Sequence, residues 1–269
     1  MKYLIGLANC IENNNGKIFE KTKVYDLKKK NDKYLVFFED GIVECQNVII
    51  ATHYPIFNSP GFYFLKMYQS MSYAIALETN NDIPEGIYIS SDNPKISIRT
   101  IDVNKKNKMI VIVGNDHKTG ESNNGDNYKE LEKIAKSVYP DCKIMYRWST
   151  EDCITLDKIP YIGEFSKFMP NVYVATGYNK WGITTSNIAA NIIKDKILKK
   201  DNKYENLFKA TRMEPIKNIK EVENILKETA SSLILKKMTI LYNKINDINK
   251  EEGKIVEIKE NETKNLEDY

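Results

Sequence analysis

Gly177-Tyr178-Asn179-Lys180-Trp181-Gly182-Ile183-Thr184 sets two glycines around a phenol, an amide, an ammonium and an indole. The segment follows Val172 to Ala175, an apolar run of strand type, and leads into Asn187 to Leu198, where apolar residues recur at helical spacing. Thr184, Thr185 and Ser186 are helix-capping types. Glycines let backbone come close to a ligand, and a helix start offers unpaired N–H groups and partial positive charge. Strand, turn and helix in this order suit a negatively charged or electron-rich ligand. An ordinary structural turn has the same spacing.

Other residues could join such chemistry. Val48 to Thr52 is a continuous apolar run, the kind buried on both faces of a parallel sheet. Thr52 and His53 stand at its end, where open α/β sheets place ligands. His53 is either a ligand or substrate contact or a satisfied, partly buried histidine, and His117 reads as a loop residue. Only Arg99, Arg147 and Arg212 are arginines among 40 basic residues. An arginine kept on a strand in a lysine-rich chain suggests planar, two-pronged recognition of a carboxylate, with a structural salt bridge as the alternative. Arg147 invites the same two readings. Tyr54, Tyr73 and Tyr88 are candidate cavity residues among 17 tyrosines, most of which serve more simply in cores and sheets.

The elements that would hold these residues are of both kinds. Leu4, Ile5, Leu7, Ala8 and Ile11 lie on one helical face, with Gly16 as the stop signal. Lys17–Glu20, Lys23–Leu27 and Tyr34–Phe38 read as strands, and Asp40-Gly41 signals a hairpin into Ile42–Cys45. Between residues 56 and 155 come short β-type runs, Met71–Glu78, Gly86–Ser90, Lys95–Ile101, Met109–Gly114 and Lys143–Trp148, interrupted by a helix at Asn127–Val138. Gly114 to Gly120 reads as a polar loop. From Ile219 to Ile248 apolar residues return at helical spacing, and the charged end, Glu251–Tyr269, reads as partly mobile.

Bulk properties exclude several classes. The 269 residues are enough for one large domain or two modest ones. A net charge of +3 argues against a dedicated nucleic-acid binder. Cys10, Cys45, Cys142 and Cys153 are widely spaced with no C-x-x-C, and there are only two histidines, so a zinc or iron–sulfur site within this sequence is not expected. No run of about 18 apolar residues is present, so no membrane span is expected, nor is the N-terminus of signal-peptide type. The expected compartment is the cytoplasm.

Pro160-Tyr161-Ile162-Gly163 followed by Asn171 to Ser186 resembles the flavin-contacting segment of the D-amino-acid oxidase and glycine oxidase superfamily of FAD-dependent oxidoreductases. Val48 to Pro55, Ser97-Ile98-Arg99-Thr100 and Tyr146-Arg147-Trp148-Ser149 agree with it in order and spacing, and the branch most similar is the bacterial one fused to a Rieske iron–sulfur domain. The resemblance runs from about Lys2 to about Met213. It implies a mixed α/β (α+β) fold. An incomplete Rossmann-like FAD domain would comprise residues 1–55 and 156–213, an antiparallel β substrate domain residues 56–155, and a helical extension residues 214–269.

The resemblance further implies FAD as cofactor, contacted by Thr52, Gly163, Gly177, Tyr178, Asn179, Lys180, Trp181, Gly182, Ile183 and Thr184. His53, Arg99 and Asp152 become the catalytic candidates, and a hydride would pass from an amine or related small molecule to the flavin. Asp152 departs from the family pattern, which places a carboxylate-binding arginine there. A carboxylate at that position repels carboxylates and favours a cation, unless it pairs with a nearby lysine. No two glycines stand two positions apart, so the family's G-x-G-x-x-G phosphate turn is missing and the sequence reads as truncated at both ends. Two readings stay open: an FAD-dependent oxidoreductase with an iron–sulfur electron partner, or a catalytically silent fragment that needs a separate chain to supply the FAD-binding half.

Overall fold

The computed structural model describes residues 1–57, 59–81, 85–104, 107–120 and 126–212, all within one unit, Met1–Pro215. The expected helices between Ile219 and Ile248 lie outside the described residues.

Three sheets organise the described chain. β1 (Val24–Lys30), β2 (Lys33–Phe38) and β3 (Gly41–Cys45) form an antiparallel meander; the β2–β3 hairpin forms as expected, but it turns at Glu39-Asp40, one residue before the Asp40-Gly41 signal, and Gly41 already pairs with Phe38. Lys17–Glu20 is irregular rather than a strand: its residues are exposed and no strand among the described residues pairs with them. The second sheet has the order β10 (Tyr161–Glu164), β11 (Val172–Thr176), β4 (Val48–Ile50). β11 runs antiparallel to β10 and parallel to β4. β4 is shorter than expected, and Ile49 is half exposed rather than buried on both faces. Its outer edge has no strand partner among the described residues.

The third sheet is larger and wholly antiparallel. β5 (Met67–Glu78) lies between β8 (Asn107–Lys118) and β9 (Lys143–Thr155), with β7 (Ile96–Asn104) and β6 (Ile87–Ile89) beyond β8. Period-two alternation splits it into two faces. Ile75, Leu77, Ile110 and Ile112 point to one face, where they bury Leu131 and Ala135 of α2 (Asn127–Val138). Asp126 caps that helix by accepting from the Lys129 N–H. The residues between them, Ser72, Ala74, Val111 and Val113, face the other way and stay uncovered by any helix among the described residues.

α3 (Gly182–Ile197) packs Ala189, Ile192 and Ile193 on Ile162, Tyr173 and Ala175 of the second sheet. α1 (Lys2–Asn13) buries no residue: Leu4, Ile5, Leu7 and Ile11 are all about half exposed, and Tyr3 donates to Asn187 of α3 at 2.9 Å. α4 (Glu205–Phe208) is followed by Arg212, whose guanidinium grips Asp157 with two hydrogen bonds, of 2.8 and 3.0 Å, and stacks 3.8 Å above the Tyr161 ring. That grip fastens the 205–212 stretch to the start of β10.

Candidate functional site

The uncovered face of the five-stranded sheet is the floor of a cavity of about 690 Å³. Its rungs follow from the register: Trp148 lies opposite Ala74, Thr150 opposite Ser72, and Asp152 opposite Ser70. β8 carries a bulge here, since Met71 pairs with His117 and Tyr73 with Gly114, leaving one extra residue on β8. Asn115 absorbs it with a φ of 56°, and the alternation resumes with Asp116 on the cavity face and His117 on the other. Gly114 to Lys118, expected as a loop, is therefore strand. His117 accepts from the Tyr73 hydroxyl at 3.0 Å and stacks on its ring, away from the cavity.

The wall of the cavity is the segment between β11 and α3. Gly177 has a φ of 71°, and a Cβ there would stand 2.3 Å from the Thr155 methyl, so only glycine fits. Asn179 and Lys180 follow with φ of 48° and 72°, two left-handed residues in a row, a conformation that costs about 1–2 kcal/mol per residue. Contacts hold them there. The Asn179 N–H donates to the Cys153 carbonyl, and its side chain accepts from the Thr155 N–H at 2.9 Å and donates to the Thr155 hydroxyl at 3.1 Å. The Lys180 ammonium donates to Ser72 Oγ at 2.6 Å and lies 3.2 Å from Asp152 and 3.3 Å from Asp116. Asn179, Lys180 and Trp181 line the cavity.

α3 begins at Gly182, earlier than its hydroxyl residues suggested: Thr184 and Ser186 are exposed inside the first turns, Thr185 is buried, and no side chain caps the start. A Cβ on Gly182 would meet nothing within 4 Å, and Trp181, Gly182, Ile183 and Thr184 are all exposed. The open helix start is thus free to face a ligand. Gly163, also in open space with a φ of 124°, is buried in β10. Tyr178 turns into the α3 packing cluster, where burial pushes its hydroxyl up to about 12.

The three catalytic candidates do not form one constellation. Arg99 and Asp152 line the same cavity, but Arg99 lies opposite Val111, five residues before Asp116 on β8, which is roughly 15 Å along a strand. Asp152 lies two strands beyond β8. Arg99 is exposed and has no partner among the described residues, while Arg147 pairs with Glu132 at 2.6 Å in a structural salt bridge. His53 is outside the cavity lining: its Nε2 donates to the Glu151 carbonyl at 2.9 Å, which fixes the tautomer. Its own carbonyl accepts from Thr176, and the Thr52 hydroxyl donates to the Tyr54 carbonyl. Tyr54, Tyr73 and Tyr88 do not line the cavity either.

Sequence reasoning missed Ser72, Asp116 and Trp148 as floor residues. Ser72, 2% exposed, sits beside the apolar run Ala74 to Leu77, where a small hydroxyl is a readable signal; Asp116 carried none, because the bulge hid its strand. Among the described residues no group of three His, Cys, Asp or Glu is placed to hold a metal ion, and no helix is long and apolar enough to cross a membrane.

The family described as FAD dependent oxidoreductase matches residues 1–196. YhfW of Bacillus subtilis (strain 168), whose name gives it as a Rieske 2Fe-2S iron-sulfur protein, is 34% identical over 259 residues, 96% of this chain and 51% of YhfW. The chain thus spans about half the length of that relative. Among solved structures, glycine oxidase from Geobacillus kaustophilus superposes with a TM-score of 0.64 at 18% identity, covering 77% of this chain and 56% of that one. L-amino acid deaminase from Proteus vulgaris gives 0.61 at 14% identity, covering 77% and 61%. These two likenesses concern the fold.

Proposed function

Because the chain belongs to the FAD-dependent oxidoreductase family, whose cofactor is FAD, we propose that it supplies the ring-facing wall and the substrate floor of an enzyme oxidising an amine or a related small molecule. The observation that carries this reading is the cavity itself, in which the glycine-bounded loop and the charged sheet floor face one space.

The residues fit the ring end of FAD. The uncapped start of α3 and the empty space at Gly182 leave room for a flat, polar ring and point backbone donors at it. Trp181 and Ile183 would cover apolar ring surface. The phosphate end has no G-x-G-x-x-G cradle in these 269 residues. When bound, FAD supplies the hydride acceptor, and no side-chain nucleophile is required.

The chain's own residues bind and orient. Asp116 and Asp152 share one ammonium, that of Lys180, so the cluster keeps one negative charge and favours a cationic substrate. Trp148 and the aliphatic side chains of β6 to β8 give an apolar bed for the rest of the molecule. Arg99 offers a guanidinium at the far end of the cavity, suited to an anionic substituent well separated from the amine. In this reading residues 1–55 and 156–213 carry the cofactor side, 56–155 the substrate side, and 214–269 an extension. The likeness to YhfW supports an iron–sulfur centre as the electron acceptor.

A second reading is favoured by the apolar face of α1 and the outer edge of β4, both without cover among the described residues. An exposed strand edge beside apolar side chains is a pairing surface. Here the chain is catalytically silent until a further polypeptide carrying the phosphate turn adds a strand to β4 and covers α1.

One experiment separates the readings: purify the chain, add FAD, and follow its visible absorption anaerobically with a panel of amines and amino acids. A protein-bound flavin spectrum that an amine bleaches supports the enzyme. A chain that takes up FAD only with a second chain supports the silent subunit. Tight FAD binding with no bleaching by any amine or amino acid overturns the proposed reaction.

A further inference from the structure

We propose that Lys180 acts as a positioning residue rather than a cofactor contact: its ammonium straps the Gly177–Gly182 loop to the substrate sheet and so sets the spacing between wall and floor. The terms wall and floor rest on the function proposed above; the strap itself rests on geometry.

An ammonium has three protons to donate and no capacity to accept. Lys180 donates to Ser72 on β5 and to Asp152 on β9 and forms an ion pair with Asp116 on β8 at 3.3 Å, so that it reaches three adjacent strands. Ser72 is almost wholly buried, so its hydroxyl, 2.6 Å away, is a fixed anchor. Among the described residues, the hydrogen bonds and ion pairs from this loop to β5 and β8 all end on Lys180 Nζ, while Asn179 ties the loop only to β9. The loop also carries two consecutive left-handed non-glycine residues, and such a backbone persists only where its surroundings hold it. The bulge at Asn115 has a purpose in this arrangement, since without it Asp116 would face α2.

The strap is partly electrostatic and half exposed, so salt weakens it. The test is amide-proton exchange by NMR on the flavin-free full chain, read at Asn179 and Trp181. Lys180→Met is expected to exchange about threefold to fivefold faster at both amides, with the α2 amides unchanged. Lys180→Arg, which keeps the charge, should recover most of that protection. About 1 M NaCl, where the Debye length is about 3 Å, should move the wild type toward Lys180→Met and leave the variant where it is. Asp116→Asn with Asp152→Asn in one chain should imitate Lys180→Met. Wild-type exchange in Lys180→Met, or equal acceleration of the loop and α2, overturns the strap. A parallel FAD titration reads the other proposal separately: a loop that loosens in a chain that never takes up FAD keeps the strap and removes the function.

Discussion

Asn179 and Thr155 bracket each other across the join between the wall and β9: the Asn179 side chain accepts from the Thr155 N–H at 2.9 Å and donates to the Thr155 hydroxyl at 3.1 Å. Asparagine also tolerates the left-handed backbone it occupies there better than most residues. Asn179→Ala removes both bonds and raises the backbone cost, so a loss of about 2–4 kcal/mol is expected. Urea unfolding of the two proteins measures it, and a change inside the error of the midpoint would show that the bracket contributes nothing.

Gly177 is constrained twice, by a φ of 71° and by the Thr155 methyl 2.3 Å from any Cβ. The two causes can be separated. Gly177→Ala should destabilise by about 2–4 kcal/mol, and adding Thr155→Ser, which deletes the methyl, should recover the steric share and leave about 1–2 kcal/mol of backbone strain. Equal midpoints for the single and double variants would mean that the methyl is not the obstacle.

Arg99 has no partner among the described residues and stands at the end of the cavity away from Lys180. Arg99→Ala should raise KM about tenfold or more for amines bearing a remote carboxylate and leave kcat nearly unchanged, because a two-pronged ion pair holds ground state and transition state alike. Amines without the carboxylate should show no change. A fall in kcat for both classes would give Arg99 a role in the chemical step.

Burial raises the Cys153 thiol from its ordinary 9.0 to about 11, with the neighbouring Thr176 hydroxyl opposing in part. A raised folded value means that the folded state keeps its proton longer than the unfolded chain does. The contribution is present in full below about pH 9 and disappears as pH climbs toward 11, a fall of about 2–3 kcal/mol. Thermal midpoints across this range should drop in the wild type and drop less steeply in Cys153→Ala; parallel slopes would assign the alkaline loss to other groups. Tyr178, raised from 10.0 to about 12, adds its own loss between about pH 10 and 12, overlapping the upper part of this range.

How much of this was legible depended on where local rules acted alone. α2 was readable to the residue because Asp126, an amphipathic period and the ensuing Tyr139-Pro140 break all agree. β9 was read only to Trp148, since the polar stretch Ser149 to Asp152 owes its extended shape to pairing with β5, which no local signal announces. Asp116 sat in a glycine-flanked polar stretch that looks like a loop until β5 fixes the register. The wall residues were found by type and order, but not their partners: Asp152 was recognised as out of pattern, and the lysine that neutralises it is 28 residues away in sequence. The helix start was misplaced because three hydroxyl residues resemble caps, while the actual turn is set by Trp181 and its bond to Tyr178.

Trp148 and Trp181 are the two tryptophans in the sequence, and both line the same cavity, one from the floor and one from the wall. The molecule's indole luminescence therefore comes from the site alone. Anything that enters will dim, shift or drain that emission, and a yellow ring lying between the two would collect it by resonance transfer. This protein carries its own optical gauge of occupancy, usable before any substrate is known.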